Sequence, residues 1–253
     1  MRVPNNPPAA RKFPILCYVT DRKILPHASP MTSALIRKME TIASAGIDWL
    51  QIREKDLSAR ELSNLAREAL RRTTASSAKE RRVTRILIND RLDIALSEHA
   101  DGVHLGEQSL PVTEAKQLIE SRLQVAPALL PVPAQPAPRP LLTQPSPTDF
   151  LLGVSCHSLK AVKSAALAGA TYVIFGPIFA TPSKASFGDS QGLNLLAEAC
   201  RSAKIPVLAI GGITVENAGA CIAAGAAGIA AIRLFQDAPD PAATIKELRE
   251  LTA

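Results

Sequence analysis

Five short polar clusters interrupt a largely apolar sequence: Gln51-Ile-Arg53-Glu-Lys55, Asn89-Asp90-Arg91, His104-Leu-Gly-Glu107-Gln108-Ser109, Ser155-Cys-His157-Ser158 and Thr181-Pro-Ser183-Lys184. Arg53, Lys55 and Lys184 place cations among hydroxyls and amides, the chemistry of a pocket for an anionic ligand. Gly211-Gly212-Ile213 and Ile232-Arg233 add a second theme, because glycines let backbone N–H groups approach an anion closely. Taken singly, each cluster also reads as a solvated loop end or a helix cap, and Asp90 and Ser158 are good N-cap types.

These clusters share a position in a repeating unit. The segments at 42–46, 165–169 and 222–225 each end on a glycine suited to the left-handed helix C-cap, and each leads into a short apolar run. Eight such runs are predicted as strands, near 15–20, 48–52, 85–89, 102–105, 151–155, 172–176, 207–210 and 228–232. Helices are predicted at 31–45, 58–72, 112–121, 158–167, 193–202, 215–223 and 241–251, with a short one at 92–97. Continuous apolar strands alternating with helices imply parallel pairing buried on both faces. Eight β/α units in 253 residues is the size of a (β/α)8 TIM barrel, an α/β fold of one domain. An open doubly wound sheet is the second choice, but no GxGxxG follows a strand. In a barrel of this kind the strand C-termini carry function, and five of the eight predicted strands run into the polar clusters. Loops seven and eight, the usual barrel phosphate site, hold Gly211-Gly212 and Ile232-Arg233. The residues therefore predict a barrel enzyme acting on a phosphorylated substrate, with further cations for a second anionic group.

Composition agrees with a globular chain: 47% hydrophobic, 21% charged and 4% aromatic, with 29 Lys+Arg against 23 Asp+Glu for a formal charge of +6. No run approaches a membrane span, and the first apolar stretch is too short for a signal sequence, so a cytoplasmic protein is expected. The basic excess suits phosphorylated small molecules as well as nucleic acid. Against nucleic acid stand the few aromatic residues available for base stacking and the lack of a recognisable motif. The cluster of Arg71, Arg72, Lys79, Arg81, Arg82 and Arg85 reads as a solvated connecting loop on the far face of the barrel. Cys17, Cys156, Cys200 and Cys221 have no metal spacing and read as reduced structural thiols. Residues 1–12 are expected to be a disordered tail preceding a barrel domain at 13–253. The tract at 127–147, with eight prolines, is expected to be a polyproline-like surface insertion between the fourth helix and the fifth strand.

Tyr18-Val-Thr-Asp-Arg22, Gln51-Ile-Arg-Glu-Lys55, Asn89-Asp-Arg91, Gly102-Val-His-Leu-Gly106, Gly153-Val-Ser-Cys-His-Ser158, Gly176-Pro-Ile-Phe-Ala-Thr-Pro-Ser-Lys184 and Ala209-Ile-Gly-Gly-Ile213, in that order, resemble the thiamine phosphate synthase/TenI family. The synthase branch joins hydroxymethylpyrimidine pyrophosphate to thiazole phosphate and releases pyrophosphate with Mg2+. The resemblance implies that Arg53, Lys55, Asn89 and Lys184 bind pyrophosphate and that Asp90 ligates Mg2+. It places Gln51 and Ser155 around the pyrimidine and pyrophosphate, and Thr181, Ser183, Gly212 and Ile232 around the thiazole phosphate, the last two through backbone. Family members often associate, so a homo-oligomer is compatible with the resemblance.

Two positions depart from the synthase pattern. Ser109 stands where a second Mg2+-binding Asp is expected, with Glu107 two residues earlier as another oxygen source. Arg233 stands where Ser is usual. The TenI branch, a thiazole tautomerase, lacks that same Asp and uses a His at the place of His157 for proton transfer, for which a pKa near working pH is suited. A non-catalytic binder of thiazole phosphate is a third reading, and His157 also reads as a residue that orients Ser155. Because the proline-rich tract falls on the face opposite the predicted site, limited proteolysis within 127–147 is expected to leave activity intact; a nick that abolished turnover would refute its assignment as a surface insertion.

Overall fold

The computed structural model describes residues 13–25, 31–77, 83–125, 149–180 and 190–251. The predicted tail at 1–12, the insertion at 127–147, Lys79, Arg81 and Arg82, and Thr181, Ser183 and Lys184 all lie outside the described residues.

Among the described residues the chain runs β1 (Ile15–Val19), α1 (Met31–Ser44), β2 (Trp49–Ile52), α2 (Ala59–Ser77), β3 (Arg85–Asn89), α3 (Leu92–Ser97), β4 (Gly102–Leu105) and α4 (Val112–Val125). It continues through β5 (Leu151–Cys156), α5 (Leu159–Ala168), β6 (Tyr172–Phe175), α6 (Gly192–Ser202), β7 (Val207–Ile210), α7 (Val215–Ala223), β8 (Gly228–Ala231), α8 (Arg233–Gln236) and α9 (Pro241–Glu250). The eight strands pair in parallel in chain order and β8 closes onto β1, so the expected TIM barrel is what the chain forms.

Local sequence sets most element ends. Ser58 and Glu61 exchange side-chain and backbone bonds in a box that starts α2. Ser158 accepts the Ala161 N–H at the start of α5, and Asp240 caps α9 with Pro241 in its first turn. Gly46, Gly169 and Gly225 adopt φ of 92°, 100° and 98°, the left-handed conformation expected after the three helix tails.

Several elements differ from expectation. The helix α2 extends to Ser77 rather than ending at 72, and Arg71 and Arg72, within the expected helix at 58–72 but also read as part of a solvated loop cluster, stand on the helix. Both pair with Glu68 at i,i+3 and i,i+4 spacing (2.8 and 2.6 Å), and Arg72 also reaches Glu40 on α1 at 3.2 Å, which favours the helix. The helix α4 likewise runs to Val125 rather than 121. Asp90 is not the cap of α3: Arg91 holds that position, and Asp90 turns elsewhere. The short α8 and a single-turn 3-10 helix at Arg22–Ile24 were not expected.

Side-chain parity divides the core into two compartments. Leu16, Leu50, Ile52, Ile86, Ile88, Val103, Leu105, Val173 and Ile229 point outward and pack in the layer under the helices. Ile15, Cys17, Val19, Trp49, Leu87, Tyr172, Ile174, Leu208 and Ala230 point inward and fill the barrel. Trp49 and Tyr172 pack with ring centroids 4.7 Å apart across this interior. Space for the Tyr172 ring exists because residue 153, facing it, is glycine: a Cβ there would lie 2.0 Å from Tyr172 Cζ. Gly153→Ala is therefore expected to destabilise the barrel by about 2–3 kcal/mol or to abolish folding, read by urea denaturation; a loss under about 0.5 kcal/mol would show that the ring yields freely.

Candidate active site at the carboxyl end of the barrel

The same inward parity that packs the lumen delivers polar side chains to its upper rim. Gln51, Asn89, His104 and Ser155 are inward positions near the C-terminal ends of β2, β3, β4 and β5, and their strands are register neighbours. Arg53 and Lys55 follow β2, Asp90 follows β3, His157 follows β5, Gly212 follows β7 and Ile232 follows β8. The structure thus brings together nine of the expected residues at one end of the barrel; Thr181, Ser183 and Lys184 belong to the segment outside the described residues.

A directed chain of hydrogen bonds crosses this rim. Gln51 Nε2 donates to Asn89 Oδ1 (2.9 Å), and Asn89 Nδ2 donates to Asp90 Oδ2 (2.7 Å). Burial pushes the Asp90 carboxyl pKa up, but hydrogen bonds from Ser109, Gly106 N–H and Asn89 and the Lys55 charge outweigh it, so Asp90 is held below the usual carboxylate range. An ionised carboxylate only accepts, which requires the Asn89 amide nitrogen to face it. The Asn89 oxygen then faces Gln51, the Gln51 nitrogen faces Asn89, and Gln51 Oε1 is left over. That oxygen is buried without a hydrogen-bond partner among the described residues, on a side chain only 2% exposed. A buried acceptor in this state calls for a donor from a ligand.

Asp90 itself has φ of 61°, a left-handed conformation that Asp tolerates better than most residues. The turn swings its carboxylate toward the loop after β4, where Oδ1 accepts Gly106 N–H (2.9 Å) and the Ser109 hydroxyl. Ser109, at the position of the expected second metal ligand, is thus a partner of Asp90. Glu107 lies apart from Asp90's hydrogen-bond set and accepts the His157 backbone N–H at 3.4 Å. Asp90 Oδ2 has a single donor, which leaves room for a cation held by one carboxylate and completed by substrate oxygens, the usual manner of Mg2+. Among the described residues no group of three or more His, Cys, Asp or Glu is placed to hold a metal unaided.

His104 is the residue that sequence reasoning passed over. Its Nδ1 is 3.0 Å from the Tyr172 hydroxyl and its Nε2 is 2.9 Å from Ser155 Oγ. Burial, with a smaller contribution from the Arg53 charge and against the pull of Asp90, lowers its pKa to about 3, so the ring is neutral and one nitrogen donates while the other accepts. Among the described residues the fully buried Tyr172 hydroxyl has no other hydrogen-bond partner, so its proton goes to Nδ1. Nε2–H then donates to Ser155, whose own proton is free to point into the site. The signal for this role was present in Gly102-Val-His-Leu: Val103 and Leu105 pack outward, which forces His104 into the lumen. His157, expected as one way of orienting Ser155, forms no hydrogen bond with it among the described residues. Its Nδ1 donates to the Gly176 carbonyl, and its Nε2 has no hydrogen-bond partner among the described residues.

At the same end of the barrel, after β7, Gly211 and Gly212 adopt φ of 98° and 64°. A Cβ on Gly212 would sit 2.6 Å from the Ala180 carbonyl, so glycine is required for this loop by both conformation and space. Ile232 caps the short α8, whose first residue, Arg233, is mostly exposed and 3.4 Å from Asp237. A cavity of about 720 Å3 between α3 and α4, lined by Leu92, Leu96, Leu110 and Leu118, shares only Asp90 with the rim and is separate from the anion site.

The neutral, buried His104 gives stability a defined pH dependence. Above about pH 6.5 both folded and unfolded chains carry it neutral. As pH falls from about 6.5 toward about 3, the unfolded chain binds a proton that the folded chain refuses, so stability drops by up to about 1.4 kcal/mol per unit. Urea denaturation at pH 7 and at about 5.5 is expected to show this loss in the natural chain and a flatter profile in His104→Gln; parallel profiles would contradict a neutral His104.

The family model described as thiamine monophosphate synthase (TMP-TENI) matches residues 16–128 and 132–235. The chain is 34% identical to a thiamine-phosphate synthase of Roseiflexus castenholzii, covering 94% of this chain and 88% of that protein. It is 36% identical to a thiamine-phosphate synthase of Methanoculleus marisnigri, covering 83% and 84%. Among solved structures, thiamine phosphate pyrophosphorylase from Pyrococcus furiosus superposes with a TM-score of 0.69 at 27% identity over 95% of each chain. With the barrel closed, the rim residues assembled and the family matched across nearly the whole described chain, this protein belongs to the thiamine monophosphate synthase (TMP-TENI) family.

Proposed function

We propose that the chain is a transferase that condenses hydroxymethylpyrimidine pyrophosphate with thiazole phosphate to give thiamine phosphate and pyrophosphate. The observation that carries this reading is Gln51 Oε1: a buried acceptor left over by the polarity of the Gln51–Asn89–Asp90 chain, on the strand whose following loop carries Arg53 and Lys55. An aminopyrimidine bearing a pyrophosphate supplies both the missing donor, through its exocyclic amino group, and the anion that the cations attract.

The roles of the described residues follow from position, and those of Thr181, Ser183 and Lys184 from the family resemblance. Gln51 fixes the pyrimidine ring, and Ser155, oriented by His104, donates a hydrogen bond toward the leaving group. Arg53, Lys55, Asn89 and Lys184 hold the pyrophosphate as charge builds on it. Asp90 would hold Mg2+, which when bound neutralises that charge further. The C–O bond to pyrophosphate breaks first, leaving a pyrimidine cation, and the thiazole nitrogen then supplies the electron pair for the new C–N bond. Thr181, Ser183 and the backbone of Gly212 and Ile232 position the thiazole by its phosphate, which places the nucleophile before ionisation and so limits capture by water. No helix among the described residues is long and apolar enough to cross a membrane, and all four cysteines are free thiols, which suits a cytoplasmic setting.

Incubation with both substrates and Mg2+ is expected to yield thiamine phosphate, with kcat lowered at least about a hundredfold in Asp90→Ala and KM for the pyrimidine raised at least about tenfold in Gln51→Leu. The free Nε2 of His157 supports a second reading, proton transfer on the thiazole as in a tautomerase. Isomerisation of thiazole carboxylate phosphate that disappears in His157→Asn, without thiamine phosphate formation, would replace the first reading by the second.

A further inference from the structure

The segment that carries Arg53 and Lys55 has an electrostatic difficulty built into its sequence. Arg53, Glu54, Lys55 and Asp56 alternate in sign, so each cation has a carboxylate within one residue that competes with any incoming anion. In the folded chain neither carboxylate reaches them. Glu54, only 5% exposed, accepts Thr20 Oγ1 (2.7 Å), Arg22 backbone N–H (3.2 and 3.3 Å to its two oxygens) and Arg22 Nη1 (2.9 Å). Asp56 accepts both terminal nitrogens of the same guanidinium at 2.7 and 2.9 Å and pairs with Lys23 at 3.2 Å.

Arg22 is itself 8% exposed and held in place from behind. Gln236 Nε2 donates to the Asp21 carbonyl (2.8 Å), and its Oε1 accepts both Tyr18 OH (2.7 Å) and Asp21 N–H (3.3 Å). Thr20 Oγ1 accepts the backbone N–H of Arg53 at 2.9 Å and so ties the two loops together. Among the described residues the side chains of Arg53 and Lys55 have no recorded hydrogen bond or ion pair, while the charge of Lys55 acts on Asp90 and that of Arg53 on His104.

We propose that Arg22 is a positioning residue for the anion grip: its guanidinium captures the carboxylates of Glu54 and Asp56 and thereby leaves Arg53 and Lys55 undiminished toward a pyrophosphate group. This rests on the reading of Arg53 and Lys55 as pyrophosphate ligands. A forked, planar donor set is required, because two carboxylates from one loop must be held at once. A purely structural ion pair would stabilise the loop without any bearing on the charge seen by a ligand, and the two roles separate experimentally.

The test is calorimetric binding of inorganic pyrophosphate, at fixed Mg2+, to the intact chain. Arg22→Gln is expected to weaken binding about tenfold, because two released carboxylates compete for the cations. Neutralising them as well, in Arg22→Gln/Glu54→Gln/Asp56→Asn, is expected to restore affinity to within about threefold of the natural chain, and with it the salt dependence. Arg22→Lys keeps a charge for buried Glu54 and so protects the fold; it is expected to lose about threefold and to regain it on adding Asp56→Asn. Unchanged affinity in the Arg22 variants, or loss that neutralising the acids fails to repair in folded protein, would overturn the proposal. Pyrophosphate binding that is absent in the natural chain, or indifferent to Arg53→Gln and Lys55→Gln, would instead overturn the underlying reading of the site.

Discussion

A closed ring of parallel strands gives each strand side chain two destinations, lumen or helix layer, and the alternation cannot slip by one residue without inverting both. Everything at the active end depends on that constraint. In β2 it sends Trp49 and Gln51 inward with Leu50 and Ile52 outward; in β4 it sends His104 inward between Val103 and Leu105. The lumen is therefore apolar in its middle and polar at its rim, and the change occurs within one inward step of a strand. Trp49 and Tyr172 form the floor, and Tyr172 reaches upward through its hydroxyl to the first polar residue, His104.

On this frame the site is polarised by a single charge. Asp90, ionised and able only to accept, dictates the orientation of the Asn89 amide, and Asn89 dictates that of Gln51. The order of donors would be undetermined if residue 90 were neutral, because two amides in contact can be exchanged end for end at little cost. The carboxylate thus acts at two distances: at Asp90 it presents an oxygen with room for a further partner, and two hydrogen bonds away it sets which atom of Gln51 is left unpaired among the described residues. On the other side Tyr172, His104 and Ser155 form a second directed chain, set by the phenolic proton that has nowhere else to go. One chain ends in an acceptor, Gln51 Oε1, and the other in a donor, the Ser155 hydroxyl.

The barrel was legible in the sequence because its signals are local and repeated. Apolar runs, helix tails and C-cap glycines recur along the chain, and Ser158 marks a helix start by its type, whereas Asp90, of an equally good cap type, does not cap α3. The positions of Gln51, Asn89, Asp90 and Ser155 at strand ends followed from counting those units. What sequence did not reveal depends on atoms brought together from distant segments. His104 bonds Ser155 across 51 residues, and Arg22 meets Glu54 across 32. His157 was associated with Ser155 because the two are near in sequence, yet β5 ends at Cys156, so His157 falls in the following loop and bonds Gly176 instead. Arg71 and Arg72 read as part of a solvated loop cluster until Glu68, at helical spacing from both, is counted.

The basic balance of the chain acquires a more specific meaning from these contacts. Arg71 and Arg72 are occupied by Glu68 and Glu40 on the helix layer, and Arg91 by Asp93, so their charges are largely cancelled where they stand. Arg22 is spent on two carboxylates of its own loop. On the proposed reading of the site, an anion approaching the rim meets Arg53 and Lys55 because neighbouring charges are paired elsewhere, a selectivity that a net charge of +6 does not show. Electrostatic attraction at this end of the barrel is therefore a matter of which cations are left unpaired, a property that a change at Glu54 or Asp56 would alter as surely as a change at Arg53.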